Sequence, residues 1–380
     1  MTEWKIPLYK IFTDEEDVKL VNKVLSRGRD WAIGPEIEEF EKALSEYLGT
    51  KYCVSLNSGT SALHASLQAY GIGVGDQVII PSFSFISTAN SVLFVNATPI
   101  FSDIEKENFG LDPTLLEQKI TSKTRVIMPM DYAGQSCKIE GINEIVKKHN
   151  LTLIEDAAEG LGSSVNGKMV GSQADCAIFS FTGNKVMTTG EGGAVVTNSE
   201  EIYTKLKLIR SHGRIDHGNY FENPNVSDYV NIGYNWRVPT ISAALGLAQL
   251  SKLPKIIRMR QKNANYLSSH ISKHEEIETP SPKSGSDHIY QMYTIKLKDT
   301  IMRDNLHSFL TTKRIFSKIY FSPIHLTKFY MKKFNTTKGM LPVTEEISSR
   351  ILTLPMFPSM TNEEKELIIM AIDEFFELDS

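Results

Sequence analysis

A lysine in a serine- and glycine-rich turn and a carboxylate at the end of an apolar strand are the two groups in this chain best placed for covalent chemistry. Lys185 ends the run Ser180-Phe181-Thr182-Gly183-Asn184-Lys185 and is followed by Gly190-Glu191-Gly192-Gly193; upstream, Asp156 closes Leu153-Ile154-Glu155-Asp156. A lysine amine can condense with an aldehyde, and a carboxylate can keep a pyridine nitrogen protonated, so that the ring accepts electrons from a carbanion. The pair suits pyridoxal phosphate (PLP) and makes the chain read as an enzyme.

Other residues fit around that pair. Asn57-Ser58-Gly59-Thr60-Ser61 follows an apolar run and opens a helical one. A helix N-terminus offers unpaired N–H groups and the positive end of a dipole to a phosphate, and Gly59 permits close approach. Pro81-Ser82-Phe83-Ser84-Phe85 closes a second apolar run and brings Phe85 to the sheet edge, where open α/β sheets hold ligands and an aromatic can cover a flat ring. Ser180 adds a hydroxyl to the phosphate cup. Each has an ordinary alternative: Ser58 to Ser61 as a helix cap, Phe85 as core, Asp156 as a capping carboxylate, Lys185 as a surface lysine. Their joint occurrence, in this order, points to the cofactor.

These groups need a sheet to position them. Apolar runs recur at Tyr52 to Leu56, Gln77 to Pro81, Thr98 to Ser102, Arg125 to Met130, Leu151 to Glu155, Asp175 to Ser180 and Gly193 to Thr197. Runs apolar on both faces suit strands covered by helices on each side, and Ser61 to Tyr70 and Ile139 to His149 are long enough for crossovers. The fold class is therefore α/β, a mostly parallel seven-stranded sheet. Asp14 to Ser26 and Pro35 to Tyr47 read as two amphipathic helices ahead of it. Helices follow from Pro239 to about Leu250 and, past the break at Leu253-Pro254, to about Lys273. Thr279 to Asp287 reads as a loop, Tyr290 to Lys296 as a strand, and Arg303 to Thr312 and Asn362 to Phe375 as helices. The boundary is expected near residue 250, giving a large domain at 1–250 and a small α+β domain at 251–380.

The chain has 380 residues, beyond the roughly 250 to 300 at which one core stops growing, so two domains are expected. It is 41% hydrophobic and 23% charged with a net charge of -4, which supplies no overall positive field for nucleic acid. No stretch approaches the ~20 apolar residues of a membrane span, and the N-terminus lacks an apolar signal core, so a cytoplasmic location is expected with no membrane partner. Cys53, Cys137 and Cys176 have no metal-ligand spacing and are odd in number, which fits reduced, buried thiols. Gly71-Ile72-Gly73-Val74-Gly75 precedes a strand, whereas a dinucleotide fingerprint follows one, so no nicotinamide site is expected.

The ordered set SGTSAL, PSFSF, EDAAE, SFTGNK with GEGG, and GYNWR resembles the DegT/StrS family of PLP-dependent nucleotide-sugar aminotransferases of fold type I, over almost the whole chain from GPEIEEFE at Gly34 to LPMFP at Leu354. The resemblance implies that Lys185 is the Schiff-base lysine, Asp156 the partner of the pyridine nitrogen and Phe85 the ring-stacking aromatic. It places Gly59, Thr60, Ser61 and Ser180 in the phosphate cup. Glu159 stands where the family often has glutamine, near the ring. Asn235 resembles the asparagine that reaches the cofactor phosphate of the neighbouring subunit, which implies a homodimer with shared active sites. Trp31, Gly34, His212, Arg214 and Pro323 to His325 lie where family members approach the sugar nucleotide; Arg214 and Arg237 would suit its diphosphate, with structural salt bridges as the alternative.

The activity implied is a ping-pong transamination. An amino donor, glutamate in most of the family, leaves its amino group on the cofactor, and a nucleotide-linked keto-sugar accepts it; Lys185 shuttles the proton in both halves. GYNWRVPTISAALGLAQL resembles the version in enzymes that aminate at C4, including perosamine synthases. Amination at C3 or of a cyclitol ketone is the neighbouring alternative. Dehydratases of the same fold have histidine in place of the lysine, and a non-catalytic binding or regulatory relative could tolerate loss of Lys185 or Asp156; both are present here.

Overall fold

The computed structural model describes residues 4–215, 227–283 and 285–378. Its centre is a seven-stranded sheet of β1 (Tyr52–Leu56), β2 (Gln77–Pro81), β3 (Thr98–Ser102), β4 (Thr124–Ile127), β5 (Thr152–Asp156), β8 (Cys176–Ser180) and β9 (Gly193–Thr197), in the order β1-β9-β8-β5-β4-β2-β3. All pairings are parallel except those of β9, which runs against both β1 and β8. Interior side chains such as Val54, Val78, Ile80, Val126, Ile154, Ile178 and Val195 are fully buried, as expected for strands covered on both faces. The fourth apolar run is longer than the strand it forms. Past Ile127 the chain stays tied to the sheet by Met128 N–H to Ile79 O at 2.8 Å, Asp156 N–H to Pro129 O at 2.9 Å and Asp131 N–H to Asp156 O at 3.1 Å, so that Met130 bridges to Asp156.

Crossovers are α3 (Gly59–Ala69), α4 (Ile86–Phe94) and α5 (Ile139–His149), while β3 and β4 are joined by short 3-10 turns. Between β5 and β8 lies a small hairpin of β6 (Ser164–Val165) and β7 (Lys168–Met169). α6 (Glu200–Arg210) follows β9, its Ser199 hydroxyl accepting from Ile202 N–H as an N-cap. Ahead of the sheet, α1 (Glu15–Arg27) begins in a capping box of Asp14 and Asp17, and α2 (Pro35–Leu48) begins with proline, whose missing N–H costs nothing there. Both pack on α7 (Thr240–Ser251), where Gly246 leaves room for the Phe40 ring; a β-carbon there would lie 2.9 Å from it.

α8 (Leu253–Ile271) carries Pro254 in its first turn, which explains the break. A second core gathers Ala264, Leu267, Tyr293, Ile295, Leu306, Leu352, Ile368 and Ile372 with Ile6 from the N-terminal segment. It surrounds a three-stranded antiparallel sheet of β10 (Ile277–Glu278), β12 (Tyr293–Leu297) and β13 (Ile351–Leu354), with α9 (Thr300–Thr312) against the sheet and α12 (Asn362–Leu378) against α8 and α9. Arg260 of α8 is buried there and donates to Tyr290 O at 2.9 Å and Met356 O at 3.3 Å. The expected loop at Thr279 to Asp287 contains one ordered pairing, β11 (Ser286–Asp287) on β6. α10 (Lys328–Phe334) and α11 (Pro342–Arg350) complete the helices. Among the described residues, no helix is long and apolar enough to cross a membrane.

Candidate active site

Strand order brings the chemistry together at one edge of the sheet. Gly193, the first residue of β9, sits opposite both Leu56 at the end of β1 and Ser180 at the end of β8. In the next strand, Asp156 pairs with Ile178. The N-terminus of α3, the Ser180 hydroxyl, the Lys185 turn and Asp156 are therefore neighbours, although they span about a third of the chain.

Two glycines allow that approach. A β-carbon on Gly59 would lie 2.9 Å from Ser180 Cβ, and one on Gly193 would lie 2.4 Å from Ser58 O and 2.6 Å from Gly59 N. The resulting cradle presents the first turn of α3 next to Ser180. Thr60 Oγ1 bonds to Ser87 Oγ at 2.9 Å, which adds a hydroxyl not anticipated from the sequence. Ser61 differs from expectation: its N–H goes to Ser58 Oγ at 3.1 Å and its hydroxyl to Asn57 Oδ1 at 2.5 Å, so it builds the helix cap beneath the cup.

The Lys185 turn is stitched between β8 and β9. Phe181 N–H donates to Gly192 O, Thr189 N–H to Phe181 O, and Lys185 N–H to Thr182 O, all at 2.9 to 3.0 Å. Lys185 Nζ lies 3.3 Å from Glu159 Oε1, with side-chain exposures of 12% and 5%. Glu159 Oε2 accepts from Ala133 N–H at 2.9 Å.

Asp156 is buried and accepts from Thr88 Oγ1 at 2.8 Å and from Ala158 N–H at 3.3 Å. Burial pushes its carboxyl up to about 6, against the bond from Thr88 and the attraction of Lys185. A cation at this carboxylate would reverse the shift, and a pyridinium supplies one. Phe85, the N-cap residue of α4, is 57% exposed at the same edge, an uncovered aromatic face for a planar ring. The glycine cradle, the buried carboxylate, the exposed aromatic and the recessed lysine all fit PLP.

Asn235 is exposed and pairs through its backbone with Ser211. Its segment reaches the cup through Asn57 N–H, which donates to Trp236 O at 2.9 Å. His212 is exposed, in a left-handed turn at φ 60. Arg214 and Arg237 converge on the Ser211 hydroxyl at 3.4 and 3.2 Å. Trp31 is half-exposed; its indole N–H donates to Val24 O and its carbonyl accepts from Thr240 N–H. Gly34 abuts Thr240, whose side chain would be 2.9 Å from a β-carbon there.

His325 corrects an expectation. It is fully buried, with Nδ1 at 2.7 Å from Ser82 Oγ and Nε2 at 3.1 Å from Glu345 Oε1, so its imidazole holds the end of β2 to α11 and offers nothing to a substrate. The geometric reason is the 3-10 turn Ile324–Leu326, pinned under the sheet edge by Ile324 N–H to Ser82 O at 2.9 Å. Cys53, Cys137 and Cys176 are buried free thiols.

Fold and site together define an aminotransferase that uses PLP. A model of the DegT/DnrJ/EryC1/StrS aminotransferase family matches residues 12–373. The chain is 36% identical over 346 residues to GDP-perosamine synthase of Caulobacter vibrioides, covering 90% of this chain and 91% of that one. Its fold superposes on Helicobacter pylori PseC, an aminotransferase involved in the biosynthesis of pseudoaminic acid, with a TM-score of 0.92 at 31% identity, covering 98% and 99% of the two chains. It superposes equally on the PMP form of the putative sugar aminotransferase Spr1654 of Streptococcus pneumoniae, with a TM-score of 0.93 at 27% identity over 98% and 100%. The chain belongs to the DegT/DnrJ/EryC1/StrS family, and its activity is that of a PLP-dependent sugar transaminase.

Proposed function

We propose that this enzyme moves an amino group from L-glutamate to C4 of a nucleotide-linked 4-keto-6-deoxyhexose, in the manner of perosamine synthesis. The observation that carries the chemistry is Lys185 Nζ recessed beside Glu159 at the sheet edge that also holds buried Asp156. The choice of a nucleotide-linked sugar, and of C4, rests on the likeness to GDP-perosamine synthase and on the GYNWRVPTISAALGLAQL segment.

When bound, PLP supplies an aldehyde that takes up amines and a ring that accepts electrons. The residues do the rest. The N–H groups at the start of α3, Thr60 and Ser180 would hold its phosphate, with Gly59 giving the space. Phe85 would cover one ring face, and Asp156, in its charged form, would stay beside the ring nitrogen. Lys185 Nζ would take the proton from the donor's α-carbon and deliver it to the cofactor's aldehyde-derived carbon, and would carry a proton the opposite way, to the sugar carbon, when the keto-sugar is present. Glu159, anchored on Ala133 N–H, orients that amine.

Asn235, exposed and carried on a segment tied to the cup, is proposed to complete the site of a second copy in a homodimer. Trp31, His212, Arg214 and Arg237 are proposed as sugar-nucleotide contacts. We further assign 1–250 to a cofactor-binding domain and 251–380 to a smaller one, since α7 ends and α8 begins at that point and the second core gathers residues beyond it, with Ile6 as a crossing strap.

The test is incubation of the PLP-loaded protein with glutamate and a panel of nucleotide-linked keto-sugars, with the product read by mass and NMR. An amino group at C4 supports the reading. Amination at C3, or no product from any nucleotide sugar, overturns it.

A further inference from the structure

The carboxylate expected to face the cofactor is not held by its own strand alone. Thr88, in the first turn of α4, is 1% exposed and lies 68 residues away in sequence, yet its Oγ1 is 2.8 Å from Asp156 Oδ2. Ser84 is 2% exposed, and its Oγ is 2.7 Å from Thr88 Oγ1. A hydroxyl has one proton to give. With the Thr88 proton committed to the carboxylate, the bond between the two hydroxyls has one polarity: Ser84 donates to Thr88. The chain therefore runs Ser84 to Thr88 to Asp156, entirely within the protein.

Its placement ties two functions together. Phe85 is the N-cap residue of α4, and Thr88 N–H donates to Phe85 O at 3.1 Å. One helical turn thus carries both the exposed aromatic and the donor that sets the carboxylate. The strand end before it is also fixed, by Ser82 on His325 at 2.7 Å. Asp156 Oδ2 accepts from Thr88, whereas Oδ1 accepts from Ala158 N–H at the longer distance of 3.3 Å.

We propose that Thr88 is a positioning residue for Asp156, and Ser84 for Thr88: this two-hydroxyl chain fixes the carboxylate's rotamer and favours its ionised form, so that it can stand beside the pyridine nitrogen. The proposal rests on the reading of Asp156 given above. Charged and titratable neighbours act on the same carboxyl. Lys185 favours its ionised form, and Glu159 and Asp131 oppose it. The Thr88 bond works with Lys185 against burial. A hydrogen bond to a charged group shifts such an equilibrium by about tenfold.

Four full-length variants test this: T88V, T88S, S84A and D156N. The first readout is the Asp156 carboxyl titration in cofactor-free protein, followed by 13C NMR of aspartate-labelled samples and assigned with D156N. The second is the dissociation constant of PLP. We expect T88V to raise the titration midpoint by about one unit and weaken PLP binding roughly tenfold, T88S to stay near the parent, and S84A to fall between. A T88V protein within twofold of the parent in affinity and unshifted in titration overturns the proposal. So does T88S as impaired as T88V, which would show a packing role. Should T88V not fold, S84A decides: an unshifted midpoint overturns the relay. If D156N binds PLP as tightly as the parent, the cofactor role of Asp156 fails, while the titration of cofactor-free T88V still judges the Thr88 contact.

Discussion

Lys185 Nζ and Glu159 Oε1 lie 3.3 Å apart, and the second oxygen of that glutamate is anchored by Ala133 N–H at 2.9 Å. The anchor keeps the carboxylate from swinging, so the amine finds it in one place. Glu159→Gln retains an oxygen for Ala133 but removes the charge beside the amine. Glu159→Ala removes both and leaves a buried N–H unpaired, which costs about 1–3 kcal/mol. Denaturant midpoints and kcat for both variants check this: E159Q, which carries the residue the family often has here, is expected to keep the parent's stability and most of its activity, and E159A to lose both. Equal destabilisation by the two variants would contradict the anchoring.

Asp156 makes the cofactor-free protein pH-sensitive. Its folded carboxyl is raised from 3.8 to about 6, chiefly by burial. The folded state therefore binds this proton more tightly than the unfolded chain, and its stability contribution is full below about pH 4 and declines as pH rises through 6. The parent is expected to lose more stability than D156N between pH 4.5 and pH 7.5, by about 1–3 kcal/mol, in urea titrations of both proteins without cofactor. Identical slopes would contradict the shift.

Asp156→Ala removes the negative charge proposed to stand beside the ring nitrogen. Losing one partner of a buried charge pair costs about 2–5 kcal/mol. The kcat of D156A is expected to fall roughly a hundredfold or more, as measured in steady-state assays with saturating PLP.

Gly193→Ala probes the cradle. The new methyl would stand 2.4 Å from Ser58 O, so the start of α3 must shift. Overpacking of this kind costs about 1–3 kcal/mol. PLP affinity is expected to fall by more than tenfold in equilibrium dialysis, whereas Gly73→Ala, whose new methyl would meet only Val95 O at 3.8 Å, is expected to leave affinity unchanged.

His325→Ala separates structure from recognition. Ser82 and Glu345 would lose a shared partner in a fully buried site, at about 1–3 kcal/mol. The melting temperature is expected to drop while KM for the sugar substrate stays within twofold.

Much of this architecture was legible because buried parallel strands leave continuous apolar runs, which located all seven strands of the main sheet. α4 was not: Ile86-Ser87-Thr88-Ala89-Asn90-Ser91 intersperses hydroxyls and an amide among its apolar residues, and those hydroxyls mark a turn as readily as a helix. With α4 unseen, Ser87 at the cup and Thr88 on Asp156 had no local signal, since both contacts are made across the sheet edge by long-range folding. His325 was misplaced for the converse reason. Likeness to a family locates a residue along the chain, but only packing shows that its imidazole turns inward. The two-residue strands β6, β7 and β11 are too short for any periodicity to register.

Borohydride reduction of the PLP-loaded protein, followed by peptide mapping, tests the central claim most directly. A cofactor-derived mass on the peptide containing Lys185, lost in Lys185→Ala, is the expected result. A label on another lysine, or none, would contradict the account.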